Sequence, residues 1–409
     1  FHRMAQTLFS SVFRAVDCEV RDYKLKPKHG PGATAERLLA NEKFTLPVWT
    51  ERLDEVFPYW LYGTPRPYSS DTRVSFREPG TELPVRVIDV PKTLDSPRII
   101  AIEPTCMQYM QQGLLNSITR HIKRSSLDML IGFDDQTPNQ VLALEGSLNG
   151  ELATLDLSEA SDRVSNLLVM TLFAGFPHLN DGVQACRSLT ADVPGHGIIP
   201  LHRFASMGSA LCFPVETMVF LTVVMLAIEK AHNTRFTSLA SVSKLIGRVR
   251  IYGDDIIVPK DTVSYVLYYL DLYGFKVNKT KSFWNGNFRE SCGKEYLDGE
   301  DVTLCRVRRE LPTGRSSAEE MVSAVSFRNQ AYWRGLWKTT AWMDNFISEI
   351  IPFPVVAETS TVLGRESVLG IPDYDLHPNL HVPMVKGMVV KYQKRSSRIN
   401  DDAALMKTL

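Results

Sequence analysis

The sequence predicts an α+β fold built around an antiparallel sheet, and three stretches predict it. In Arg248-Val-Arg-Ile-Tyr-Gly-Asp-Asp-Ile-Ile-Val-Pro259, two apolar, β-branched runs flank Gly253-Asp254-Asp255. That pattern reads as a β-hairpin with neighbouring carboxylates at its tip and a glycine supplying the turn. The short apolar run Leu152–Leu155 reads as a buried strand that exits at Asp156. Between them, an apolar stretch from about Phe213 to Lys230 is long enough only for a helix.

A Gly-Asp-Asp turn alone is ordinary solvated surface. Two adjacent carboxylates repel each other unless water or a divalent cation separates them. Asp156 changes the reading, because a strand ending beside the hairpin brings three carboxylates from two elements together. An all-oxygen set of that kind suits Mg²⁺, or Mn²⁺ in its place. Two such ions about 3.5–4 Å apart can activate an attacking hydroxyl and stabilise a leaving pyrophosphate. After Asp156 the sequence predicts a helix that Ser161 caps and that runs through Val164, Leu167, Leu168 and Leu172.

With 409 residues, 44% of them hydrophobic, the chain can build a large core in two or three lobes. The formal net charge of zero argues against simple coating of RNA and leaves room for a locally basic channel. Six dispersed cysteines without a Cys-x-x-Cys pair read as reduced thiols and no structural zinc. Pro214 and Glu216 interrupt the stretch Leu211–Ile228, which favours a buried helix over a membrane span. The chain begins with Phe rather than Met and reads as a piece of a longer protein.

In chain order, helical patterning is expected at Ala35–Leu39 and from Met107 to Arg124, with Pro- and Gly-rich loops at 27–32, 58–67 and 79–84. Arg120, His121, Lys123 and Arg124 read as a solvated helix face. An irregular insert is expected from about Phe176 to Arg203, followed by a small-residue loop, Ser206-Met207-Gly208-Ser209. The aromatic spacing of 261–274 (Tyr265, Tyr268, Tyr269, Leu272) reads as a core stripe, and Trp333 with Trp337 as one packed helix face. Lys391, Lys394, Arg395 and Arg398 form a basic tail.

Four ordered segments give the chain a specific resemblance: DLSEASD at 156–162, SMGSALCFPVETMVF at 206–220, YGDD at 252–255, and KVNKTKSF with FRESCG over 276–293. They resemble the RNA-dependent RNA polymerases of positive-strand RNA bacteriophages, the leviviruses. HGPGAT at 29–34 and VPKTLDSPRIIAIEP at 90–104 share that resemblance. It implies a right-hand polymerase with fingers over 1–149, a palm over 150–300 that carries a finger-like insert at about 176–205, and a thumb with the basic tail over 301–409.

The resemblance also implies roles. Asp156, Asp254 and Asp255 would hold two Mg²⁺ ions, with Glu216 as an auxiliary ligand, since a carboxylate in a buried stripe is costly unless paired or metal-bound. Lys92 and Arg98 would line the nucleotide entry path. Ser206, Gly208 and Ser209 would meet template and incoming ribose, Asp162 the ribose 2′-hydroxyl, and Arg289 a phosphate. Lys279 or Lys281 would protonate the leaving pyrophosphate. Template RNA, nucleoside triphosphates and host bacterial translation proteins are the implied partners, in the cytoplasm of an infected bacterium, with primer-independent initiation and no membrane. A reverse transcriptase and a catalytically inert polymerase-like RNA-binding scaffold are the rival readings.

Overall fold

The computed structural model describes residues 1–38, 40–63, 74–91, 97–372 and 374–391. The chain divides into two compact units, one built mainly from Phe1–Ile88 and Ile99–Thr303, the other mainly from Leu304–Arg395 with Asp89–Arg98.

In the first unit the organising element is a four-stranded sheet. Its strands are Lys276–Val277, Leu152–Ser158, Asp255–Pro259 and Arg250–Tyr252, in that order across the sheet, with each neighbouring pair antiparallel. Strand periodicity explains its two faces. Ala153, Leu155 and Leu157 join Ile251, Ile256 and Val258 in the main core. Leu152 and Ile257 point the other way and pack with Leu142 of the Thr137–Asn149 helix. The apolar stretch forms the Cys212–Ala231 helix, buried along most of its length within this core, so its hydropathy reflects packing. An N-terminal helix, His2–Arg21, buries Met4, Leu8, Phe9, Val12, Phe13, Val16 and Val20 at helical spacing.

Several local expectations give way to tertiary context. The helix after Asp156 is split into Ala160–Arg163 and Asn166–Leu172, and Ser165 rather than Ser161 caps the longer piece through Leu168 N. The break has a cause: Val164 and Ser165 are drawn into pairing with Phe204 and Arg203. The insert is regular, with a Pro177–Ala185 helix and an antiparallel pair, Thr190–Val193 with Gly197–Pro200. Residues Ala35 and Glu36 form a turn, not a helix. The Glu36 carboxylate accepts from Thr105 N at 3.0 Å and so caps the Thr105–Ile122 helix.

Most of the supposed core stripe of 261–274 faces outward, and of Tyr265, Tyr268, Tyr269 and Leu272 only Tyr269 packs against the core. The Val263–Leu272 helix buries Val263, Val266 and Leu270, which leaves Tyr265, Tyr268 and Leu272 on the opposite, exposed face. Nor is the basic group at 120–124 merely solvated: Arg120 and His121 both contact Glu19, at 2.5 and 2.9 Å, and Lys123 pairs with Asp134. The six cysteines are free thiols.

The second unit is organised by the helices Ala318–Trp333 and Trp337–Ile350, packed through Met321, Ala324, Val325, Met343 and Ile347. Buried Arg328 grips Asp344 with two nitrogens, at 2.7 and 3.0 Å. Trp333 and Trp337 do not share a helix face. Gly335, in the left-handed region at φ +71°, separates the two helices, and both indoles are exposed. Only Lys391 of the basic tail falls among the described residues.

One buried acid in the first unit makes stability depend on pH. Burial pushes the Glu103 carboxyl from 4.5 up to about 7, against hydrogen bonds from Ser188 and Gln111 that favour its charged form. The folded chain therefore keeps a proton that the unfolded chain releases above 4.5. Its contribution is full below that pH and is lost as pH rises through about 7, by on the order of 3 kcal/mol. Glu103→Gln keeps an acceptor for the Ser188 hydroxyl and has no proton to lose. Urea unfolding between about pH 5 and 8 should show a flatter pH dependence for the variant, with its stability relative to the native chain growing as pH rises.

Candidate functional site

The site begins with strand register. Asp156 lies directly opposite Asp255 in the antiparallel pair, and Tyr252 opposes Asp255 from the other side. Directly opposed residues project from the same face, so the two carboxylates share one side of the sheet, where like charges oppose pairing. Gly253 and Asp254 make the turn. Gly253 has φ +59°, and a Cβ there would stand 2.4 Å from the Phe213 ring, so both conformation and space call for glycine. Gly253 N also donates to Thr217 Oγ1 at 3.1 Å, which seats the hairpin tip on the start of the Cys212–Ala231 helix. Asp254 is left exposed at the tip, while Asp255 is already a strand residue.

Between Phe213 and Thr217 sits Glu216, 7% exposed. Its Oε2 is buried and has no hydrogen-bond partner. Burial, then the charges of Asp254 and Asp162, push its carboxyl well above the ordinary range. Asp255 is pushed up to about 6 by burial and by the charges of Asp254 and Asp156, against a backbone hydrogen bond from Cys292. Five acids, Asp156, Asp162, Glu216, Asp254 and Asp255, are thus linked by their charges across two strands, a turn and two helices, all with hard oxygen donors. An orphaned buried carboxylate oxygen beside exposed Asp254 fits a divalent cation. Among the described residues, no three such side chains converge closely enough as they stand to grip one.

Residues that the sequence reading passed over hold these acids in place. Ser291 Oγ and Cys292 N both donate to Asp255 Oδ1 at 3.2 Å. Cys292 takes a left-handed φ of +49° at this point, and Gln140 Nε2 donates to its carbonyl at 3.1 Å. Asn278 Nδ2 donates to Asp156 Oδ2 at 3.1 Å, and Ser282 Oγ accepts from Asp156 N at 3.0 Å. Glu290 is a further acid at the edge of the group. Burial raises it to about 7, Asp255 and Asp156 add to the rise, and Lys281 opposes it. The sequence signal was FRESCG itself, whose polar residues alternate at strand spacing with Arg289 and Ser291 turned inward.

Other expected residues distribute unevenly. Lys279 and Lys281 are exposed just beyond the Lys276–Val277 strand, and Asn278 N donates to the Asp156 carbonyl at 2.8 Å, so the lysines lie beside the acids. Arg289 does not reach outward. It is fully buried, with Nε donating to the Leu152 carbonyl at 2.5 Å and Nη1 to the Gly286 and Phe288 carbonyls. Its guanidinium ties two strands together and is not presented to a phosphate. Lys92 lies outside the described residues; Arg98 is exposed in the second unit.

The 206–209 loop is fixed from below. Gln111 Oε1 accepts from Ser209 Oγ at 3.2 Å and from Ala210 N at 3.0 Å. Gly208 has φ +124°, and Ala101 N donates to the Met207 carbonyl at 2.7 Å. Ser206 is buried, and its hydroxyl has no partner. Asp162, about half exposed, pairs with Arg203.

A family model described as RNA replicase, beta-chain, matches residues 76–321. The RNA-directed RNA polymerase beta chain of Enterobacteria phage fr is 38% identical over 225 residues, which cover 55% of this chain and 38% of that protein. The RNA-directed RNA polymerase subunit beta of Qbeta virus (strain MX1) is 36% identical over 228 residues, 55% of this chain and 36% of that protein. The match thus spans less than two fifths of each relative's length. Among solved structures, the RNA-dependent RNA polymerase of BmCPV in its quiescent state superposes with a TM-score of 0.51 at 10% identity, over 85% of this chain and 31% of that one. That likeness is one of fold.

The close approach at Gly208 gives a direct test of the loop. A Cβ there would lie 2.0 Å from the Ala101 carbonyl oxygen, in a backbone conformation that side chains rarely adopt. Gly208→Ala should therefore destabilise the chain by at least about 2 kcal/mol in urea unfolding. Gly150→Ala, at φ +71° with open space around it, should cost less, since only backbone strain is added.

Proposed function

Because the chain belongs to the RNA replicase beta-chain family, we propose that it is the catalytic part of an RNA-dependent RNA polymerase that copies a positive-strand RNA phage genome. The observation that carries this reading is the register that sets Asp156 opposite Asp255, with the orphaned Glu216 carboxylate behind Asp254. On this reading, 1–149 serve as fingers, 150–300 as palm and 301–409 as thumb.

Asp156, Asp254 and Asp255 would hold two Mg²⁺ ions, with Mn²⁺ as a substitute and Glu216 as a further ligand. Bound there, such ions lower the pKa of the attacking hydroxyl and offset charge that builds on the triphosphate. The chain's own residues do the rest. Ser291 and the Cys292 amide fix one oxygen of Asp255 and leave the other unclaimed by them. Asn278 orients Asp156 in the same way. The bond that forms joins a 3′-hydroxyl, or an initiating nucleoside triphosphate, to the α-phosphate of the incoming nucleotide; the bond that breaks releases pyrophosphate. Lys281, close enough to Glu290 to lower its pKa, is the better placed of the two lysines to give the departing pyrophosphate a proton. Asp162 accepts from the ribose 2′-hydroxyl. Ser206, Gly208 and Ser209 line template and ribose, and Lys92 and Arg98 serve nucleotide entry. Initiation is primer-independent, in the cytoplasm of an infected bacterium, with host translation proteins as partners.

RNA-templated incorporation of labelled rNTPs with Mg²⁺, with and without bacterial extract, tests this reading. Incorporation should exceed that from dNTPs, and Asp254→Asn should reduce it by at least about a hundredfold, the scale of losing one preorganised charge-stabilising group. A preference for dNTPs would transfer the chain to the reverse transcriptases. RNA binding without incorporation in either condition would make it an inert scaffold.

A further inference from the structure

We propose that Arg203 sets ribose selectivity by holding Asp162, an inference that rests on the polymerase reading above. Three observations place the arginine there. Its guanidinium pairs with the Asp162 carboxylate. Its backbone is pinned beside the same segment, since Arg203 and Ser165 form a β-bridge and Phe204 N donates to the Val164 carbonyl at 2.9 Å. From the other side, Arg187 donates to the carbonyls of Leu201, Arg203 and Phe204, at 2.6, 2.6 and 2.9 Å.

An exposed ion pair is ordinarily worth little, because two long side chains must be held in one geometry. Here the backbone that carries Arg203 is fixed by neighbours on both flanks, so only its side-chain rotamers remain to be ordered. The surroundings also give the pair a task. The charge of Asp162 is felt by Glu216, which in turn feels Asp254. Without a cation beside it, the Asp162 carboxylate is repelled from the acidic group and turns toward solvent. With Arg203 in place, one oxygen is claimed by the guanidinium and the carboxylate stays turned toward the site. The other oxygen is then an oriented, charged acceptor for a ribose hydroxyl, and a deoxyribose leaves it unpaired. The Val164–Ser165 break in the helix is what this arrangement requires: a continuous helix from Ser161 could not pair with the 203–204 segment.

Arg203 is thus a positioning residue, supplied by the insert, that acts through Asp162. The test is a double-mutant cycle in the full chain, assayed with bacterial extract, on the rNTP/dNTP ratio of kcat/KM. Arg203→Gln should lower that ratio by about tenfold or more, the scale of one charge-assisted hydrogen bond. The loss should appear mainly in KM for the rNTP, and Arg203→Lys should recover part of it. In an Asp162→Asn background, Arg203→Gln should change the ratio no further. A ratio unchanged by Arg203→Gln, or equal effects with and without Asp162, overturns the proposal while the native chain's preference for rNTPs keeps the polymerase reading. A native chain that neither incorporates rNTPs nor binds a fluorescent rNTP in preference to its deoxy counterpart overturns both.

Discussion

The structure depends on one strand pairing, Leu152–Ser158 against Asp255–Pro259. Four apolar or neutral residues at 152–155, opposed by Ile256 to Pro259, supply the buried ladder. The fifth pair is Asp156 with Asp255. Because the side-chain period of a strand is two, a slip of the Asp255–Pro259 strand by one residue would turn Asp255 to the face opposite Asp156 and expose Ile256 and Val258. Hydrophobic burial thus fixes the register, and the register places two like charges where electrostatics alone would never put them. The price appears in Asp255, pushed up to about 6.

Everything near that pair serves to hold it. The hairpin tip is seated by Phe213 and Thr217, the strand edge by Asn278 and Ser282, and Asp255 by Ser291 and the Cys292 amide. Arg289 has the same structural purpose at a distance. By tying the Leu152 carbonyl to the Gly286 and Phe288 carbonyls, it locks the FRESCG strand against the central one, and so sets where Ser291 reaches. A buried guanidinium is costly unless its donors are used, and its spending on backbone carbonyls explains why a residue that reads as a phosphate contact is fully enclosed.

The sheet and the acids were legible because strand and carboxylate signals are local. An apolar run ending in Asp, and a Gly-Asp-Asp between β-branched runs, need no partner to be recognised. The N-terminal helix was equally legible, with Met4, Leu8, Val12 and Val16 at a four-residue spacing, and was missed for want of a cap or motif to draw attention. What could not be read was set by distant chain. Ser161 is a good capping residue, yet Ser165 caps, since the pull of Arg203 and Phe204 on Val164 and Ser165 decides where the helix restarts. Tyr265 and Tyr268 carry helical spacing but not the buried face, because Val263, Val266 and Leu270 repeat with the same period and win the core. Arg120 and His121 look solvated until Glu19, a hundred residues away, is brought to them.

The same long-range pairing bears on the chain's neutral charge. A formal balance of zero reads at first as poor provision for a polyanion. Yet several cations are committed inside the fold: Arg120 on Glu19, Arg187 on three carbonyls, Arg289 on three more, Arg328 on Asp344. Around the hairpin group the charge is mostly acidic, with Lys281 near Glu290 and Arg203 paired with Asp162. Net charge is therefore the wrong quantity for this molecule. What matters is local: Asp156 and Asp255 set negative charge on one face of one sheet, beside Asp254 and Glu216, a field that the whole-chain balance does not register.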